Sequence, residues 1–326
     1  MINMINYYLL IINKNMITEV KAVTNVLIRA GSLILIMACG YLMKQIGWVK
    51  KEDFSIFSKI VLRFTLPCAI ITSFNEVTVH SSMIIFMIIG IAVNLLAAII
   101  GFVLGKSKGR KEQAFHILNL GSYNIGAFTL PYVSGFLGAN GVLVTSIFDV
   151  GNSIGAAGFN YSIAKSLADE KNKVTLHKVI KNMISSPIFD TYVIMFILRL
   201  LNIKLPSGIT TFTGIVGQAN TFLAMIMIGI AFELHLDKSR AKKVTTIIVT
   251  RYILAICSAL CIYFLTPFSK EVKQVLCIVL FSPIAAMTPG FTEEIAGDVK
   301  TSSFSTTIST LISIVIITTM LVIMSL

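Results

Sequence analysis

The sequence predicts an all-α polytopic membrane protein: ten transmembrane helices in two inverted five-helix repeats, with the fourth and ninth helices broken. Three observations carry this expectation. First, 56% of the 326 residues are hydrophobic and only 13% are charged, with a mean hydropathy of +0.86. A soluble domain carries about 25% charged residues, so most of these side chains face lipid or one another. Second, the basic residues sit in short loops between apolar runs. Third, two apolar stretches, Asn119–Phe136 and Val279–Ala296, are interrupted at matching places in the two halves. Pro131 and Pro289 stand 158 positions apart, and the same shift sets Asn124 on Ser282.

About 20 apolar residues cross the hydrocarbon as a helix. Stretches near 26–46, 54–75, 82–104, 114–137, 141–165, 184–203, 211–234, 244–266, 271–292 and 302–325 meet that length. They divide the chain into an N-terminal segment (1–25), a first five-helix repeat (26–165), a polar basic loop (166–183) and a second repeat (184–326). The first fifteen residues lack the basic start and small-residue cleavage site of a signal peptide, and Met16 offers an alternative start to Met1. Lys50, Lys51, Lys106, Lys108, Arg110 and the basic 166–183 loop share one side. The positive-inside rule makes that side cytoplasmic, which puts both termini outside a cell membrane.

The halves also correspond outside the breaks. A shift of 155 sets Ser58 through Val61 on Thr213 through Val216, Ala69 on Ala224 and His80 on His235. Five spans per half is an odd number, so the second half enters from the opposite side, the inverted plan of many secondary transporters.

Several classes fall away. The net charge of +12 lies in membrane-flanking loops and does not call for nucleic acid. Cys39, Cys68, Cys257, Cys261 and Cys277 all lie in apolar stretches without metal-ligand spacing, so no metal site is expected. The run GVLVTSIFDVGNSIGAAG suits close helix packing and lacks phosphate-loop spacing. No catalytic constellation is present, and no enzyme is expected.

These residues resemble the auxin efflux carrier family, in the bile acid/sodium symporter-like superfamily. Asn124 and Pro131 keep the family's seven-residue spacing in the fourth span, and Asp149 and Asn152 match its Asp-x-x-Asn signature in the fifth. LRFTLPCAIITSF around Pro67 and QANTFLAMIMIG around Ala224 match the second and seventh spans. Gln218 and Phe222 depart from the Asn and Pro of many bacterial members, with Asn220 near enough to replace the lost amide. The resemblance implies crossed, unwound fourth and ninth helices facing a scaffold of the first, second, sixth and seventh, a homodimer, and substrates such as malate.

At each break a half-helix offers free N–H groups and a partial positive charge to an anion. Asn124 and Thr129 in one segment, and Ser282 and Thr288 in the other, are candidate substrate ligands; Pro131, Pro289 and Gly126 shape the crossing. Arg63, mid-span, is expected to face the interior, against a substrate carboxylate or in a permanent pair with Asp149. It aligns with Gln218, and with Asn220 these complete the expected site. Asp149 is open to three readings: a proton carrier, a coupling-cation ligand, or a support for the crossing together with Asn152. Asp190 and Arg251 are expected to reach the interface from span ends, His80 and His235 to lie in loops, and Glu293 and Glu294 to face the cytoplasmic vestibule.

The expected function is secondary transport or uniport of small organic anions, mono- or dicarboxylates such as malate, by elevator-like alternating access in the lipid bilayer. No cofactor is expected beyond a coupling proton or Na+. The alternatives are a carrier of an amino acid or an aromatic or neutral acid, and a membrane sensor that binds a ligand without moving it.

Overall fold

The structure, a computed structural model, describes residues 2–76, 78–168, 187–232 and 238–325. Regular structure among the described residues is entirely helical. The chain runs through α1 (Ile2–Gln45) and α2 (Phe54–Ile60), the latter joined by a π turn, Val61–Thr65, to α3 (Leu66–Glu76). Then come α4 (Ile84–Gly105), α5 (Arg110–Leu120), a π segment Ile125–Thr129, α6 (Leu130–Ser153), a second π segment Ile154–Asn160, and α7 (Tyr161–Ala168). The second half holds α8 (Pro187–Leu200), α9 (Ser207–Ala231), α10 (Ala241–Leu265), α11 (Lys270–Leu280), α12 (Thr288–Glu294) and α13 (Val299–Ser325).

Seven helical stretches among the described residues are long and apolar enough to cross a membrane. One of them, Arg110–Ala168, covers 59 residues. It contains the expected fourth and fifth spans, with a break at 121–124 and a turn at Gly138, whose φ of 62° suits glycine. The expected sixth and ninth spans are not among the seven. Of the sixth, α8 supplies 14 described residues, and the ninth is split into α11, of 11 residues, and α12. Large apolar side chains on the outer faces, such as Leu35 at 67% and Val315 at 65% exposure, suit lipid contact.

Helix α9 packs along α1 and α3, and α3 packs on α8. On the other side α4 lies against α5 and α6, and α10 against α11 and α13. Small residues allow the closest approaches. A Cβ on Gly229 or Gly40 would strike the partner backbone between α1 and α9, and one on Gly90 or Gly151 would do so between α4 and α6. The glycine-rich fifth span thus serves packing.

Charged contacts gather at one end of the bundle: Lys243 with Glu112 at 2.8 Å, Arg240 with Asp298 at 3.1 Å, and Glu294 with Lys165 at 3.3 Å and with the Tyr161 hydroxyl. Asp298 starts α13. Its carboxylate accepts the Thr301 N–H at 3.1 Å and the Thr301 hydroxyl at 2.6 Å. Partial burial raises its pKa, but the bonds from Thr301 and Arg240 outweigh that and hold it below the ordinary value. Because its pKa is depressed, folding favours the charged carboxylate. The stabilisation is present above the unfolded carboxyl's pKa and is lost as pH falls through the folded one. Asp298→Ala is expected to cost about 0.5–2 kcal/mol, as for other lost helix caps. Melting curves should show the difference at neutral pH and its disappearance in acid.

Candidate functional site

Backbone freed by a helix break at membrane depth must find partners, and the two breaks find them in side chains and in each other. After α5, the Leu120 carbonyl accepts from Arg251 Nη1 at 2.8 Å and the Gly121 carbonyl from Asn160 Nδ2 at 2.6 Å. The Asn152 carboxamide pairs with both main-chain polar groups of Tyr123. Its Nδ2 donates to the Tyr123 carbonyl at 2.9 Å and its Oδ1 accepts the Tyr123 N–H at 3.3 Å. The Asn124 N–H donates to the Pro283 carbonyl at 2.8 Å, so the two breaks touch through the main chain.

The second break, between α11 and α12, is answered in the same way. Arg251 Nη2 donates to the Ser282 carbonyl at 2.9 Å and to the Pro283 carbonyl at 3.0 Å. From α13, Ser313 Oγ donates to the Phe281 carbonyl at 2.6 Å and Ser309 Oγ accepts the Ile284 N–H at 3.0 Å. Hydroxyl pairs close the junction: Thr129 with Ser282 at 2.6 Å and Ser122 with Thr288 at 2.8 Å.

A cavity of about 150 Å³ opens beside this junction. Tyr123 through Ala127, Asp149 and Asn152 form its polar wall, and Leu62, Ile188, Met227, Met287 and Phe291 are among its apolar lining. The Asn124 side chain is 6% exposed, and its carboxamide bonds to none of the described residues. The Asp149 carboxylate accepts from Asn152 Nδ2 at 2.8 Å and the Tyr192 hydroxyl at 3.1 Å. A Cβ on Gly126 would stand 3.0 Å from its Oδ2, so glycine lets the carboxylate lie against the half-helix start. A second cavity, about 290 Å³, lies further along the same helices, lined by Thr72, Ser73, Pro131, Ser134, Gln218 and Asn220. Between the two, Thr65, Leu66, Phe128 and Thr129 are buried, and Thr65 Oγ1 donates to Asn220 Oδ1 at 3.0 Å.

The structure therefore divides the expected site. Asn124, Gly126, Asp149 and Asn152 meet at the first cavity; Gln218, Asn220 and Pro131 line the second. Thr129, Ser282 and Thr288 are buried with their hydroxyls bonded at the junction, and Pro289 follows Thr288 in the first turn of α12. Arg63 is the largest correction. It is exposed, lines neither cavity, and does not pair with Asp149. The reason is helical phase: Val61, Thr65 and Leu66 form the packed face, and Arg63 points about half a turn away, beside exposed Phe64.

Arg251 corrects the expectation in the opposite sense. It does not reach an interface but is 1% exposed, bonded to both breaks, with its guanidinium carbon 4.1 Å from the Tyr123 ring centre. Its place near the middle of α10, far from either end, was the available signal. The hydroxyls of α13 carried another: Ser302, Ser305, Ser309 and Ser313 recur at helical spacing and are all buried. Asp190 is half-buried, His80 and Glu293 are exposed, and His235 lies outside the described residues.

Residues 26–326 match the family model described as membrane transport protein. An uncharacterized transporter of Methanothermobacter thermautotrophicus is 21% identical over 207 residues, covering 62% of this chain. The chain spans about two thirds, 66%, of the length of that curated relative. With its apolar helices, this match makes the chain a multi-pass membrane protein of a family of transporters, not enzymes. The chain belongs to the membrane transport protein family, that of the auxin efflux carriers.

Proposed function

We propose that this chain is a secondary transporter of small organic anions across the cell membrane, with monocarboxylates preferred to dicarboxylates such as malate. One observation carries the reading: Arg251 is buried behind Tyr123, a cavity-wall residue, and no carboxylate among the described residues pairs with it. Its charge makes the floor of the first cavity positive. The first-turn amides from Ile125 onward and the unpartnered Asn124 carboxamide supply donors for one carboxylate. Arg63 lies outside the cavity, and none of the described residues lining it is a lysine or arginine that could meet a second carboxylate; the largely apolar lining suits a short hydrocarbon tail.

Several features support alternating access by an elevator-like movement. Cavities lie on both sides of one closed layer, which is how a carrier keeps its two entrances from opening together. Thr65 and Asn220, bonded to each other, are 155 positions apart. That is the shift relating the two halves, as expected of residues beside the axis of an inverted repeat. Exchanging the halves also turns the α1–α9 contact into the α8–α3 contact. On this reading α1, α2–α3, α8 and α9 form the scaffold, ten spans cross the membrane, and both termini lie outside. The expected homodimer would cover the exposed Arg63, Phe64, Phe212 and Phe222 face, since a lipid-facing arginine costs about 2.5–3.5 kcal/mol on insertion scales. Asp149, beside the substrate carboxylate, would carry the coupling proton.

A second reading has its own observation. Asp149 shares the cavity with the half-helix start, so an amino acid could place its carboxylate on the amides and its ammonium on Asp149. Uptake of labelled organic acids and amino acids into proteoliposomes, with and without a proton gradient, tests both. Asn124→Ala is expected to lower uptake about ten- to a hundredfold, from one lost hydrogen bond to a charged group. Its melting temperature should not change, because that carboxamide bonds to no described residue. Failure of every organic anion to move or bind would overturn the anion reading.

A further inference from the structure

The guanidinium of Arg251 has an unusual set of partners. It holds no acid. Its Nη1 and Nη2 donate to three main-chain carbonyls, those of Leu120, Ser282 and Pro283, at 2.8, 2.9 and 3.0 Å. Leu120 is the last residue of α5, and Ser282 and Pro283 follow the end of α11. The C-terminal ends of both half-helices therefore converge on one positive group. Such ends carry unsatisfied carbonyls and partial negative charge. In transporters built on broken helices they hold inorganic coupling cations.

We propose that Arg251 is a tethered cation that permanently fills the place of a coupling cation at the crossing, so that the carrier needs no Na+ or other inorganic cation there. A guanidinium stays protonated throughout the physiological range and offers several donors in a fixed plane. It can therefore satisfy carbonyls from two segments at once, and its occupancy depends on neither salt nor pH. The side chain is anchored in α10, which packs on α11, α13 and α5. The charge must then travel with the broken helices and cannot be released on either side. A Na+-coupled carrier gains and loses its cation in each cycle; this one keeps its cation and leaves coupling to another group. The inference rests on the transport reading but not on the identity of the substrate.

The test uses the purified, detergent-solubilised full-length protein and its melting temperature, so no substrate has to be known. Wild type should melt at the same temperature in NaCl and in N-methylglucamine chloride. Arg251→Ala should melt lower and recover, saturably, with millimolar guanidinium chloride or NaCl, while wild type stays flat over the same range. Where Arg251→Ala does not fold, Arg251→Lys and Arg251→Gln decide: lysine, which keeps the charge, should melt above glutamine, which keeps only donors. A saturable rise of the wild-type melting temperature with Na+ would overturn the proposal. So would a folded Arg251→Ala that no cation restores, or a glutamine variant as stable as the lysine variant.

Discussion

Asn152→Ala is expected to lower stability by about 3 kcal/mol or more and to abolish transport. In wild type, Asn152 pairs with the N–H and the carbonyl of Tyr123 and donates to Asp149 Oδ1. All three partners are buried beside the break, where no helical neighbour can replace the lost bonds. A buried polar group left unsatisfied costs about 1–3 kcal/mol. The Asn94 carboxamide, which also donates to Asn152 Oδ1, keeps its bond to the Gly90 carbonyl and adds little. Asn152→Asp is an informative companion. It keeps an acceptor for the Tyr123 N–H but loses the donor to the Tyr123 carbonyl, and it sets a second carboxylate beside Asp149. It should be at least as destabilised as the alanine variant at neutral pH and should recover partly in mild acid. Melting of the solubilised protein measures both, and an alanine variant as stable as wild type would show that Asn152 does not hold the break.

The breaks themselves were legible in the sequence because proline and small polar residues interrupt otherwise apolar runs, and lipid forbids exposed backbone. The residues that answer those breaks were legible only where they carried a pattern of their own. Asn152 stood out through its spacing from Asp149. The serines of α13 were readable as a helical stripe, yet Ser and Thr are tolerated in membrane helices for many reasons, and their targets, the Phe281 carbonyl and the Ile284 N–H, are distant in sequence. Arg63 and Arg251 show the limit best. Both are arginines within apolar runs, and hydropathy treats them alike. What separates them is azimuth. Arg63 lies off the face defined by Val61, Thr65 and Leu66, whereas Arg251 shares the buried face of Ile247, Ile248, Leu254 and Ala255. Which face of a membrane helix packs inward is set by its neighbours, and an apolar helix carries too little contrast around its circumference to reveal it.

Asp149→Asn is expected to abolish substrate accumulation driven by a proton gradient while leaving downhill exchange of an organic anion intact. An ionised Asp149 beside a bound carboxylate is opposed by about 4 kcal/mol at 4 Å with an effective dielectric near 20. That is enough to weaken binding several hundredfold. The anion is therefore expected to enter with Asp149 protonated, and proton and substrate cross together. In wild type, uptake should rise as pH falls and fade as pH climbs through the Asp149 pKa. Asparagine mimics the protonated acid. It can accept from Asn152 and donate to the Tyr192 oxygen, so the local bonds persist. The variant should bind the anion equally well across the same pH range and only equilibrate it. The amino-acid reading forecasts the reverse, because an ammonium group deprived of its carboxylate would lose affinity at every pH. Substrate affinity in Asp149→Asn thus separates the two readings: retained, it leaves Asp149 as a proton carrier; lost, it makes Asp149 a substrate ligand.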